Sequence, residues 1–187
     1  MSHIKKTKSQ LLEEIKQLRS ELADVKLATE KRARELHISE ERFSLAMRGA
    51  NDGLWDWNLE TDEVYYSPRW KNMLGYKESE LENTLHTWAH LVHADDKDIV
   101  LKKVQDYLEG RIHSFETEMR MRHKKGHQIF VLSRAFLVIR ESDGKPTRLV
   151  GTHVDITERK NAEVFDDQHN KILEMIASGR PASEIYD

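Results

Sequence analysis

The chain of 187 residues contains no cysteine. That absence excludes disulfide scaffolds, thiolate zinc sites, covalently attached c-type haem and cysteine nucleophiles together. No apolar run approaches the roughly 18 residues that a bilayer-crossing helix requires, and the Lys-rich, amphipathic N-terminus lacks the apolar core of a signal peptide. A cytoplasmic location without direct membrane insertion is therefore expected. Charge of one sign is missing as well: 30 Lys and Arg stand against 33 Asp and Glu, for a net charge of −3. Interspersed signs at that balance leave no electrostatic footprint for nucleic acid. There is no phosphate-cradling Gly-rich loop, no Gly-x-Ser-x-Gly, no His-Glu-x-x-His and no kinase or cyclase signature, so catalysis within this chain is not expected.

What is present is unevenly distributed. Apolar residues make up 38% and charged residues 34%, too polar a mixture for one compact globule of this length, so part of the chain belongs in solvated helices. The length suits one core with helical arms. Neither Gly nor Pro occurs before Gly49, and a heptad fits from Ile4, with Ile4, Leu11, Leu18 and Val25 at d and Lys8, Ile15, Leu22 and Thr29 at a. Such a seam predicts a coiled-coil helix and a homodimer held through Ile4, Leu11, Ile15, Leu18, Leu22 and Val25, parallel or antiparallel. The seam weakens at Thr29 and Arg32 and resumes at Leu36 and Phe43, which allows a shift of register.

At about residue 43 the helical period gives way to Trp, Tyr, Gly and short alternating stretches. Trp55, Trp57 and Leu59 share one face of an alternating run, and Val64-Tyr65-Tyr66-Ser67 follows across the polar turn Glu60-Thr61-Asp62, which predicts a β-hairpin. Pro68 suits the first turn of a helix ended by Gly75, and Glu78 to Leu91 reads as one or two short helices. Asp95-Asp96 are expected to cap a longer helix, Lys97 to Glu109, with Ile99, Val100, Val104, Tyr107 and Leu108 on its apolar side. Three strands follow, Ser114 to His123, Gln128 to Arg140 and Thr147 to Asp155, with turns at Lys125-Gly126 and Asp143-Gly144. The expected class is α+β: a five-stranded antiparallel sheet with short helices on one face and long helices at both ends. Asp155-Ile156-Thr157-Glu158 has the form of a capping box, so the last strand runs straight into a helix that Ala162, Phe165, His169, Ile172 and Ile176 continue and that Gly179 and Pro181 end.

In this order and spacing, Asp52-Gly53-Leu54-Trp55-Asp56-Trp57-Asn58-Leu59, Trp70 to Tyr76, Trp88 to Asp96, Asp143 to Pro146 and Gly151 to Lys160 resemble the PAS family, in its bacterial subgroup with a Trp-rich first strand. The resemblance implies a helical arm over 1–42, a PAS domain over 43–157 and a signalling helix over 158–187. It implies a sensory and dimerising module whose downstream effector is a cyclase, a phosphodiesterase or a kinase, with a flavin- or haem-bearing light, redox or gas sensor and a ligand-free constitutive dimerisation module as the alternatives. Because a strand fused without a loop to a helix transmits displacement of the sheet, Asp155, Ile156 and Thr157 are expected to be the joint that passes strain from sheet to helix. The tail from Lys171 to Asp187 is similar to the helix that opens many GAF domains.

His86, His90 and His93 would share a face as metal ligands do if one helix carried all three, but a helix break between them favours a structural reading, and no metal is expected. Flavin of the LOV type requires a cysteine thiol, and the positions where the resemblance implies flavin-pairing asparagines hold Met121 and Val131. Flavin bound otherwise stays an alternative. Haem lacks a histidine on the long helix, leaving only His90 and His113. The tryptophans at 55, 57, 70 and 88 read as core, with a small-molecule cavity as the rival.

Overall fold

The computed structural model describes residues 7–177, so Ile4 and, at 178–187, the end of the tail expected to open a GAF domain lie outside the described residues. The chain divides into two units, Met1–Ala50 and Asn51–Asp187.

The first unit is the helix α1, Lys8–Ala50, 43 residues without a buried side chain. It runs past the expected change at residue 43. Gly49 does not stop it, since one glycine costs a helix only about 1 kcal/mol. The stop is Asn51, whose φ of 58° is the left-handed C-terminal conformation that asparagine tolerates.

The second unit holds the sheet, in the order β2-β1-β5-β4-β3, formed by β1 (Gly53–Asn58), β2 (Val64–Tyr66), β3 (Phe115–Arg122), β4 (Gln128–Ile139) and β5 (Pro146–Asp155). All neighbours are antiparallel, with Trp55 opposite Tyr66 on one side and Gly151 on the other. Between β2 and β3 come α2 (Pro68–Met73), a 3₁₀ turn at Glu78–Glu80, α3 (Leu85–Leu91) and α4 (Ala94–Leu108). The helix α5, Thr157–Ala177, follows β5. The fold class is as the alternation and turn signals predict.

Local chemistry fixes each piece. Ser67 closes the step from β2 to α2: its hydroxyl accepts from the N–H of Trp70 at 3.3 Å and of Leu54 at 3.0 Å. Lys71 is buried, and its ammonium donates to the carbonyls of Glu78 at 3.0 Å and Leu81 at 2.6 Å, which tethers the 3₁₀ turn to α2. At α4 the cap differs from expectation. His93 takes the position, its Nδ1 accepting from the Asp95 N–H at 3.3 Å. Asp95 and Asp96 sit within the first turn and grip β3 instead: Asp96 accepts from the Arg120 backbone N–H at 2.7 Å, from its Nε at 3.0 Å and from its guanidinium at 2.7 Å. Arg120 holds the Asp96 carboxyl below its ordinary pKa through this bidentate bond. The apolar face of α4 is also narrower than expected. Val100 is buried, with Val104 and Tyr107 packed behind it. Ile99, one step of about 100° around the helix, is 66% exposed.

Candidate functional site

The helices α3 and α4 and the inner face of the sheet border a partly open cavity of about 50 Å³, lined by Trp55, Tyr66, Trp88, Val100, Met119, Leu149 and others. Period-two alternation on β5 turns Leu149, Gly151 and His153 inward, and on β4 it turns Ser133 inward opposite His153. Gly151 cannot be any other residue here. A Cβ would stand 2.2 Å from the Arg134 carbonyl oxygen and 2.6 Å from the Trp55 ring, so the missing side chain is what lets the indole lie across the strand.

Two tryptophans meet His153. Trp70 donates its Nε1–H to His153 Nδ1 at 2.8 Å, both residues being buried, and Tyr66 stacks on Trp70 with ring centroids 4.0 Å apart. Because the indole can only donate, His153 Nδ1 carries no proton and the neutral ring keeps its hydrogen on Nε2. Burial pushes the His153 pKa down to about 3, and the accepted hydrogen bond acts in the same direction. The pairing of Trp70 with His153 escaped the sequence reading, although the alternation of β5 carried the signal that His153 faces inward.

At the end of β5 lie Asp155, Ile156 and Thr157, the residues expected to form the joint. Asp155 Oδ1 accepts from the Thr157 N–H at 2.9 Å. The last paired residues are Val131 and Asp155. Beyond them the Ile156 N–H donates to the Phe130 carbonyl at 2.9 Å, and the Phe130 N–H donates to Thr157 Oγ1 at 3.0 Å. A side chain of the helix thus completes one more rung of the β4–β5 ladder. Glu118 on β3 adds ion pairs to Arg159 and Lys160, each at 2.7 Å, and these cations lower its pKa, Lys160 first. Ile156 is buried.

The other candidates are placed as follows. Leu11, Ile15, Leu18, Leu22 and Val25 lie along α1 and are each 45% exposed or more. His86 and His90 stack on α3 with centroids 6.2 Å apart, whereas His93 lies past the end of that helix and caps α4, so no single helix presents all three. His90 Nε2 accepts from the Arg122 guanidinium at 2.8 Å. Among the described residues no group of His, Asp and Glu is placed to hold a metal ion. Met121 and Val131 are fully buried against the core and offer a flavin ring neither donor nor acceptor. About 50 Å³ is far less than a tricyclic ring fills unless the walls move. No described helix is long and apolar enough to cross a membrane.

Residues 63–153 match the family described as PAS fold. A solved structure of a sensory box histidine kinase/response regulator from Burkholderia thailandensis is 34% identical, with a TM-score of 0.60 over 71% of this chain and 98% of that one. The chain belongs to the PAS-fold family. Among curated proteins it is similar to the methyl sulfide methyltransferase-associated sensor of Methanosarcina acetivorans, 33% identical over 60% of this chain, and to the blue-light-activated histidine kinase of Brucella anthropi, 26% identical over 69% of it. The chain spans 11% and 25% of the length of these two relatives.

Proposed function

We propose that this chain is a non-catalytic sensory and dimerising module of a larger cytoplasmic signalling protein, in which a change in the PAS core alters α5 and, through it, a downstream cyclase, phosphodiesterase or kinase. The observation that carries this reading is the joint at Asp155, Ile156 and Thr157. A strand that becomes a helix with one residue between, bonded to β4 through both backbone groups of Phe130, turns any displacement of the sheet into a displacement of the helix. The exposed row Leu11, Ile15, Leu18, Leu22 and Val25 supports a homodimer joined through α1, because a stripe of that length is costly to leave in water.

Asp155→Ala tests the joint. In the full-length signalling protein it should leave the domain folded and make output insensitive to stimulus; normal regulation in that variant would refute the reading. A light- or redox-sensing role with flavin or haem is the alternative, and visible absorption bands of the protein as purified would favour it.

A further inference from the structure

Away from the inner face of the sheet, the end of α3, the start of α4 and the turn between β3 and β4 border a second cleft. Its volume is about 350 Å³, and it shares no lining residue with the inner cavity. It lies where the two helices are stitched to β3: Val92 bridges to Met121, and the His93 N–H donates to the Arg120 carbonyl at 2.9 Å. His90, His93, Lys97, Arg122 and Gln128 supply its polar wall, and no Asp or Glu lines it.

The positive charges of that wall are not neutralised within the domain. Arg122 has one partner, the His90 ring, whose Nε2 accepts from the guanidinium at 2.8 Å. An imidazole that accepts there is neutral, so the arginine keeps its full charge and has N–H groups to spare. Among the described residues no ion pair or hydrogen bond engages the Lys97 ammonium. The acids at the start of α4 do not answer it: Asp96 is held by Arg120 at 2.7 Å and Asp95 by the same guanidinium at 3.3 Å, while Asp98 is exposed and outside the lining. His93 Nδ1 accepts from the Asp95 N–H at 3.3 Å, so each of the two neutral rings carries its hydrogen on the nitrogen left unengaged and can donate from it.

A cleft walled by charge of one sign concentrates counter-ions, and a guanidinium fork matches the paired oxygens of a carboxylate or a phosphate. Small-molecule sites span roughly 300–1,000 Å³, so this cleft suits a compact solute. We propose that it binds a small multivalent oxyanion, carboxylate or phosphate in kind, with Arg122 and Lys97 as its charged contacts. The site goes beyond the sensory reading and does not depend on it.

The probes are citrate and inorganic phosphate, titrated at constant ionic strength into the full chain labelled with nitrogen-15, with sodium chloride as the control. Each probe that binds should shift the amides of Ala94, Lys97, Gly126 and Gln128 saturably. Response to citrate alone makes the ligand a polycarboxylate and response to phosphate alone a phosphate, and either supports the site. Arg122→Gln and Lys97→Gln should each weaken binding about tenfold, the loss of one charge-assisted hydrogen bond, and either variant decides the matter if the other fails to fold. Lys102→Gln, which lies on α4 outside the cleft and removes a pair with Asp106, should bind as the wild type does. The proposal is overturned by the absence of a saturable shift with either probe, by the same shifts in sodium chloride, by full affinity in the Arg122 and Lys97 variants, or by an equal loss in Lys102→Gln.

Discussion

Acidification should destabilise the PAS core through His153. In the fold, burial holds this histidine neutral with a pKa of about 3, against an ordinary value of 6.5. Below the ordinary value the unfolded chain binds a proton that the native chain refuses, so stability is complete above it and is lost as pH falls toward the native pKa. Between pH 7 and pH 5 the unfolded state gains about 2 kcal/mol from this one site, a figure that does not depend on the native pKa so long as that lies well below pH 5. His123, whose pKa burial also lowers with help from His127 and Lys125, adds a smaller loss of the same sign, and a variant separates the two. His153→Gln retains an acceptor for Trp70 and removes the titration. Urea unfolding at both pH values should give a variant less stable than the wild type at pH 7 but with a pH dependence smaller by about 2 kcal/mol. Equal pH dependence in the two proteins, or a His153 ring signal titrating near pH 6.5, would refute the account.

Thr157→Val keeps the shape of the joint but leaves the Phe130 N–H unpaired, so it should destabilise the domain by about 1–3 kcal/mol and speed hydrogen exchange at Phe130 and in the first turn of α5, as amide exchange will show. Gly151→Ala places a methyl group against the Arg134 carbonyl, which as backbone cannot give way, and should cost more than about 3 kcal/mol in denaturant unfolding; a loss under 1 kcal/mol would mean that Trp55 is not seated across this strand. Asp96→Asn removes the charge that pairs with Arg120 and should destabilise by about 1–3 kcal/mol at neutral pH, the difference shrinking in acid as the wild-type carboxylate is protonated below its ordinary pKa. Leu18→Lys with Leu22→Lys should convert the proposed dimer to a monomer in sedimentation; an unchanged mass would show that α1 does not hold it.

Much of this was legible because the strands obey local rules. Each is bounded by a turn with its own chemistry, and alternation along β1 and β4 names the inward residues. The bond between Asp155 and Thr157 was legible for the same reason: the two are two positions apart, within reach of a local hydrogen bond. What sequence hid is long-range. Trp70 and His153 are separated by 83 positions, and nothing local in either says that one will donate to the other. Asp95-Asp96 looked like caps because acidic pairs often are; their recruitment by Arg120, 24 positions from Asp96, freed the cap for His93. The first helix was expected to give way at about residue 43 because composition changes there, but the backbone stays helical to Ala50 and turns only at the left-handed Asn51.

The rung that Thr157 adds to the sheet also fixes a direction. With Phe130 holding Ile156 by its carbonyl and Thr157 by its amide, the azimuth at which α5 leaves the domain is set within its first residue, before any partner is met. Every later position inherits that setting at about 100° per residue. One residue inserted after Thr157 would therefore swing the exposed Phe165 and Ile172 to another side of the helix, while seven would return them almost to where they began. Spacing, as much as composition, is part of what this chain hands on.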